Sequence, residues 1–364
     1  MLKRTKFLTL FFALFSQALM AQVDSTQISS ELIRDKNVLA LPVVFRLPET
    51  GWAAGAIATA SWSWGKDNIG ANPSQASFGI TYTQNKQILV FLPFQAFINN
   101  NKYYLNADLG WYKYNYFYYG IGENRVKAER FDVTFPHLEL LGTKLIMPNL
   151  YLGFRVKYEN YDVTGRQDGG ELIKDEISGS RLSRTSGVGP ALLLDTRDNV
   201  FYPTKGFFGE ISIFPSNKVF GADRNFVQTK VDIANYTTLY PKLVVANNLY
   251  LVHTAGKTVP FQQLALLGGS KKMRGLYTGF FRDKNVALVQ TELRYNVWKS
   301  FFLTGFGAVG VLGDAEDILR LNLPKFTYGF GLRKMTKGGV NFRFDYGFSP
   351  YDTGNFYLTI GEAF

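Results

Sequence analysis

The 364 residues contain no cysteine, which excludes a disulfide scaffold and thiolate chemistry alike. Only two histidines are present, His137 and His253, and their separation does not match metal-ligand spacing. No G-x-S-x-G elbow occurs, and spacing alone does not order Ser, His and Asp into a triad. Residues 305–310 satisfy G-x-G-x-x-G formally, yet they sit inside an alternating segment and lead into a Gly-Asp loop, so the helix that a dinucleotide site requires is missing. Nor is there a long helical apolar run beyond the N-terminus: later apolar stretches are interrupted at alternate places by Gly, Asn, Lys or Glu, which a helix in lipid does not tolerate. Together these absences predict no enzyme, no cofactor and no metal, and exclude a helical membrane protein.

At the N-terminus, Lys3, Arg4 and Lys6 precede an apolar run from Phe7 to Phe15, and Ala18, Leu19, Met20 and Ala21 supply the small or apolar residues of a cleavage site. The run is shorter than the roughly 20 residues that span a bilayer. The expectation is an exported chain with a signal peptide over 1–21, a short periplasmic segment over 22–39 and one domain over 40–364.

Aromatic residues are abundant, with 32 Phe, 21 Tyr and 5 Trp, and glycine reaches 35; mean hydropathy is nevertheless near zero. That combination suits a transmembrane barrel, where half of each strand faces lumen while Tyr, Trp and Phe form interfacial girdles. The net charge is +11, and +8 once Lys3, Arg4 and Lys6 are removed. After an export signal, a basic balance points to anionic outer-membrane lipids including lipopolysaccharide, and not to nucleic acid.

Alternation of apolar and polar residues over about ten positions followed by a turn is the repeating unit. Sixteen such segments fall near 40–47, 52–65, 75–84, 87–98, 102–115, 128–141, 150–163, 186–196, 205–214, 225–240, 243–254, 285–297, 301–312, 325–334, 340–348 and 355–364. An even number puts both termini on the periplasmic side of an outer-membrane barrel. The long connectors 116–127, 164–185, 215–224, 255–284 and 313–324 all follow odd-numbered segments and so read as extracellular, whereas the short turns 99–101, 241–242, 299–300 and 336–339 follow even-numbered ones. The faces separate by parity. Leu152, Phe154, Val156 and Tyr158 oppose Arg155, Lys157 and Glu159, and Val340, Phe342, Phe344, Tyr346 and Phe348 oppose Asn341, Arg343, Asp345 and Gly347. In the segment from Val286, Ala287, Val289, Leu293, Tyr295 and Val297 oppose Gln290, Glu292, Arg294 and Asn296. A soluble sandwich would need a second sheet to cover so many aromatic faces. The fold class expected is an all-β transmembrane antiparallel barrel of 16 strands.

Several stretches carry a resemblance: Gly268-Gly269-Ser270 and Met273-Arg274-Gly275-Leu276-Tyr277 in the sixth external loop, Gly187-Val188-Gly189-Pro190 through Asp195-Thr196-Arg197-Asp198-Asn199, Pro203-Thr204-Lys205-Gly206, Phe342-Arg343-Phe344-Asp345-Tyr346-Gly347, and a terminal Phe364. In order and spacing these resemble the bacterial surface antigen family, the barrel of BamA/TamA-type assembly proteins, over 40–364. The resemblance implies a sixth external loop folded into the lumen, with Arg274 paired to acidic groups of the inner wall and Gly268, Gly269, Gly275 and Tyr277 shaping the loop. A guanidinium in a confined lumen needs a carboxylate partner. The family's Phe-x-Asp-x-Gly appears here as Phe306-Gly307-Ala308-Val309-Gly310, with Ala308 in place of the acid. Glu292 is therefore the expected partner of Arg274, with Phe306 and Gly310 beside it. The POTRA domains that precede the barrel in assembling members have no counterpart in the 18 residues of 22–39.

Asp195, Arg197 and Asp198 read as a turn-stabilising ion cluster at a periplasmic connector. Phe364, with Phe356, Leu358 and Ile360 at alternating earlier places, resembles the terminal strand read by the barrel assembly machinery, which makes the chain its client. The functional expectation is a barrel accessory to outer-membrane protein assembly or secretion, served by an unknown periplasmic or outer-membrane protein partner; the alternative is a transport pore for small solutes through a charged lumen.

Overall fold

In β14 (Asn285–Trp298), Val289, Leu293, Tyr295 and Val297 are exposed while Gln290, Glu292 and Arg294 are buried. That is the reverse of a water-soluble sheet and the arrangement lipid demands: apolar side chains outward, charges inward. The computed structural model describes residues 37–47, 50–64, 71–174, 176–336 and 341–364; the expected signal peptide and most of the 22–39 segment lie outside them, as does Val340.

Around β14 the wall is built from β1 (Asn37–Leu47), β2 (Gly51–Trp62), β3 (Ser74–Thr83), β4 (Ile88–Ile98), β5 (Tyr103–Ile121), β6 (Asn124–Met147), β7 (Leu150–Arg166), β8 (Leu182–Asp195), β9 (Gly206–Ser216), β10 (Phe226–Tyr240), β11 (Leu243–Ala255), β15 (Phe301–Gly313), β16 (Lys325–Met335), β17 (Asn341–Ser349) and β18 (Asp352–Ile360). Each pairs antiparallel with its neighbour along one sixteen-stranded sheet, with β1 and β18 at its two ends. Two further strands, β12 (Ala265–Leu267) and β13 (Phe281–Asp283), form a hairpin of their own within the loop between β11 and β14. The sixteen segments read from alternation correspond one for one to the wall strands.

Charge divides the wall unevenly. Arg46 is the one charged residue in β1 to β4, whose alternate inner positions are taken by residues such as Leu39, Leu41, Val43 and Ile57. Beyond them, inward acids and bases cluster on β6 (Glu129, Glu139), β7 (Arg155, Lys157, Glu159), β10 (Lys230, Asp232), β14 (Glu292, Arg294), β16 (Lys325, Arg333) and β17 (Arg343, Asp345), whereas β11 and β15 contain no acid, lysine or arginine. Pro42, which has no N–H to give a ladder, sits in β1, an end strand.

Several boundaries differ from the alternation. Residues 116–127 are not a long loop: β5 and β6 continue through them to a tight turn at Gly122 and Glu123. Alternation does not stop where lipid stops, so a hairpin that projects beyond the membrane has no sequence boundary. The 313–324 connector contains a short helix, α1 (Ala315–Arg320), capped by Asp314, whose side chain accepts from the Glu316 and Asp317 amides while Asp317 accepts from the Asp314 amide. At six residues it is too brief to show a helical period. The last strand ends at Ile360, not Phe364; Gly361 has φ 82° and residues 361–364 leave the sheet.

Candidate functional site

The loop 256–284 begins at the barrel's long-loop end and threads its interior. Its contacts span most of the circumference. Gln263 donates to Glu159 on β7 (2.5 Å) and accepts from Lys157 (2.9 Å). Lys272 Nζ lies 3.0 Å from both Asp232 oxygens on β10 and 2.8 Å from Asn248 on β11. Tyr277 meets Phe117 of β5 edge-on at 5.7 Å, and the Gly275 amide donates to the Tyr357 hydroxyl of β18 at 3.0 Å. A single segment that touches β5, β7, β10, β11 and β18 is encircled by them, so the loop occupies the lumen.

Its path depends on backbone that only glycine adopts freely. Gly275 has φ +117°, and a Cβ there would lie 2.5 Å from the Phe348 carbonyl oxygen of β17. At Gly268, φ +110°, a Cβ would lie 2.0 Å from the Tyr277 carbonyl oxygen across the neck of the loop. Gly269 and Tyr277 complete the turn, the Gly269 amide donating to the Leu276 carbonyl (3.0 Å) and the Tyr277 amide to Asp352 (3.3 Å).

Arg274 stands at the tip. Its Nη2 is 2.6 Å from Glu292 Oε2 on β14 and its Nη1 donates to Asp345 Oδ2 on β17 at 2.7 Å, while the guanidinium carbon lies 3.6 Å over the Phe306 ring of β15. Gly310, four residues along β15 on the same face as Phe306, leaves room for Leu267 and Met273, which a Cβ would approach to 3.0 Å. Ala308 lies in the same apolar cluster as Met273 and Leu276. The absent acid at 308 is thus replaced by packing, and the charge of Arg274 is met from β14 and β17 instead.

Both carboxylates are shared. Arg333 of β16 donates to Asp345 (2.5 Å) and Glu292 (3.0 Å), and Arg294 donates to Glu292 (2.8 Å). Glu362, beyond the end of β18, lies 3.4 Å from Arg294 and from Arg333 and accepts from Asn341. Phe364 packs on the inner face of β10 and β11 against Ala234, Tyr236 and Ala246, and with Tyr202 and Tyr236 its ring surrounds the Arg294 guanidinium.

At the short-turn end, Arg197 Nε and Nη2 grip both Asp195 oxygens at 2.9 and 2.8 Å, a bidentate pair. Asp198 accepts from the Thr204 and Lys205 amides and so ties the connector 196–205 to itself. That connector then crosses the barrel: Val200 packs with Phe97, Tyr104 and Tyr151, whereas the Tyr202 ring meets Phe302 of β15 at 4.7 Å, tilted by 41°, and Pro203 accepts from Arg294. Asp195, Arg197 and Asp198 lie apart from Arg274, at opposite levels of the barrel interior, with Arg294 the bridge between the two levels.

Burial shifts the titration of the loop's cations. It lowers the Lys272 amine to about 8, the Asp232 carboxylate opposing but not cancelling the effect. Arg282, which donates to the carbonyls of Phe261 and Gly279, falls to about 10 by burial, with Tyr118 and Tyr277 opposing. His137 bonds Glu159 at 2.6 Å and His253 bonds Asn285 at 2.6 Å. Among the described residues no group of three or more His, Asp or Glu is disposed to hold a metal.

Sequence reasoning placed Arg343 and Asp345 on the lumen face but did not join Asp345 to Arg274, and it overlooked Arg333 and Glu362. Parity marks Arg333 as inward on β16; nothing in the order of residues says that Glu362 turns in after Gly361.

A transmembrane barrel of sixteen antiparallel strands, its lumen filled by one of its own loops and fastened there by an arginine, defines the class. The chain belongs to the Omp85 superfamily, whose domain matches residues 50–364; barrels of this family are outer-membrane proteins. Among solved structures it is similar to BamA from Haemophilus ducreyi lacking POTRA domains 1-3 (15% identity, 90% of this chain and 69% of that one, TM-score 0.53). It is also similar to CdiB from Escherichia coli (12%, 89% and 61%, 0.54) and CdiB from Acinetobacter baumannii (12%, 90% and 58%, 0.51). The chain spans less than two thirds of either CdiB chain, and at these identities the likeness is one of fold. No curated protein matches the sequence.

Proposed function

We propose that this barrel is accessory to outer-membrane protein assembly or secretion and has no enzymatic activity. The observation that carries the reading is the double pairing of Arg274 with Glu292 and Asp345, which keeps the lumen filled. With the lumen closed, the route left for a client is the seam between β1 and β18, the two ends of the ladder. In this reading the signal peptide has been removed, both termini are periplasmic and the long loops face outward among lipids including lipopolysaccharide. Phe364 directs the chain to the barrel assembly machinery, as a client, and a periplasmic or outer-membrane protein acts as its partner. Deleting the protein from its cell is expected to deplete outer-membrane proteins or secreted clients; an unchanged outer-membrane proteome and secretome refutes the role.

A second reading, a pore for small solutes, draws on accessible lumen charges: the Asp108 side chain is 55% exposed, and Glu139 and Lys230 about half as much, at 30% and 29%. In a planar bilayer the assembly reading predicts a nearly closed wild type that opens on Arg274→Ala. Large and equal conductance in both forms selects the pore.

A further inference from the structure

At the short-turn end of β5, β6 and β7 the lipid-facing side of the wall holds a groove of about 410 Å³. One residue makes the room for it. Gly142 of β6 lies between its register partners Leu105 of β5 and Phe154 of β7. A Cβ added at Gly142 would meet nothing nearer than Leu105 Cδ1 at 3.8 Å, and its backbone is that of an ordinary strand. The missing side chain therefore leaves an apolar slot beside the exposed ring of Phe154.

One level nearer the turns the row changes character. Tyr103, Lys144 and Leu152 stand abreast there, and all three line the groove. Lys102 adjoins them, its Nζ 5.9 Å from the centre of the Tyr103 ring. No acid lines the groove, and the turns beside it, 99–102 and 147–150, contain none. This rim lies at headgroup level: elsewhere at the same end Lys299 sits over Trp298 at 5.3 Å and Lys334 over Phe301 at 4.0 Å, cation and aromatic pairs that belong to a membrane interface. Uncompensated positive charge and a phenol at the rim, with an apolar slot one level toward the midplane, follow the order of a phospholipid's own parts.

We infer that this groove is a site for one anionic phospholipid of the leaflet at the short-turn end. Its phosphate is held at Lys144, Lys102 and the Tyr103 hydroxyl, and an acyl chain lies in the slot over Gly142. Ammonium groups and a phenol are donors that a phosphate accepts from, and the charge of the lysines favours a net-negative headgroup over a neutral one. The site does not depend on whether the barrel assembles proteins or conducts solutes.

The test uses the full chain, stripped of lipid in a non-ionic detergent and titrated with dimyristoylphosphatidylglycerol or with the phosphatidylcholine of the same chains, the bound lipid being counted by native mass spectrometry. Wild type is expected to hold one phosphatidylglycerol about tenfold more tightly than phosphatidylcholine, and Lys144→Gln to reduce that preference about fivefold. Gly142→Leu fills the slot from open space and is expected to lose both lipids. Gly305→Leu is the control, at a glycine of β15 between the exposed Leu293 and Phe330 with nothing near its Cβ, and is expected to bind as wild type does. Heat-modifiable mobility on gels reports that each variant is a folded barrel. Equal affinity of wild type for the two lipids, equal binding by wild type and Gly142→Leu, or the same loss in Gly305→Leu overturns the site.

Discussion

Arg274 and Asp345 stand 71 residues apart in the chain and 2.7 Å apart in the lumen, each buried and each with a second partner. Asp345 is the more connected of the two, since Arg274, Arg333 and Arg343 all converge on it.

Removing Asp345 therefore harms the protein more than removing Arg274. Breaking a buried pair by deleting one partner costs about 3–5 kcal/mol because the other charge is stranded. Asp345→Asn strands part of three cations and is expected near the upper end. Arg274→Ala leaves Glu292 and Asp345 with Arg333 and falls near the lower end. Denaturant unfolding of the detergent-solubilised barrel, followed by tryptophan fluorescence, ranks the two; the reverse order contradicts the shared-acceptor geometry.

Gly275→Ala is expected to undock the loop without unfolding the wall. The new Cβ collides with the Phe348 carbonyl and the φ of +117° is strained for alanine. Limited proteolysis should cut the variant within 256–284 while the wild type is protected. A Gly221→Ala control, also at positive φ but with nothing near its Cβ, should leave that protection intact.

The Lys272 amine gives the loop a pH dependence of defined sign. Its folded pKa of about 8 lies below the ordinary lysine value of 10.5, so the undocked loop binds more protons in that interval and docking strengthens as pH rises from 8 toward 10.5. Below pH 8 the whole penalty of burying the cation is present. The slope is at most about 1.4 kcal/mol per pH unit. Hydrogen exchange across 265–283, corrected for the intrinsic rate, should show protection rising in that window and no such rise in Lys272→Gln. Protection that falls instead means the Asp232 ion pair outweighs burial.

The connector 196–205 seals the short-turn end independently of Arg274. Tyr202→Ala removes the ring contact with Phe302 and part of the aromatic surround of Arg294, a truncation worth roughly 3–5 kcal/mol when fully buried. In bilayers Arg274→Ala with Tyr202→Ala is expected to conduct more than Arg274→Ala alone. Equal conductance shows that the connector does not restrict the path.

The strands were legible because lipid and lumen impose opposite chemistry on alternate residues, and that rule holds at every level of β14 or β17. Where the rule is silent, reading fails. The hairpin of β5 and β6 runs past its expected ends through Tyr116 and Lys127, since no side chain there marks the membrane boundary. The positions of Glu292 and Asp345 on the inner face follow from parity, whereas their convergence on one arginine depends on the curvature of the sheet and the depth of the loop, which no local pattern encodes. Glu362 escaped for a similar reason: a residue assigned to a strand is assumed to stay in it.

The uncharged inner wall of β1 to β4 bears on the order of events during insertion. These strands enter lipid with no acid or base on an inward position awaiting a partner, so they tolerate a stage at which the lumen does not yet exist. The strands that carry the lock do not. Glu123 meets Lys325 across 202 residues, and Glu292 of β14 and Asp345 of β17 gather Arg333 of β16 and Arg274 of the loop only when all of these have arrived. Contacts so distant along the chain make for slow folding, and the strands that share the lock, β14, β16 and β17, are held to late, concerted closure while the first quarter of the wall is free to lead.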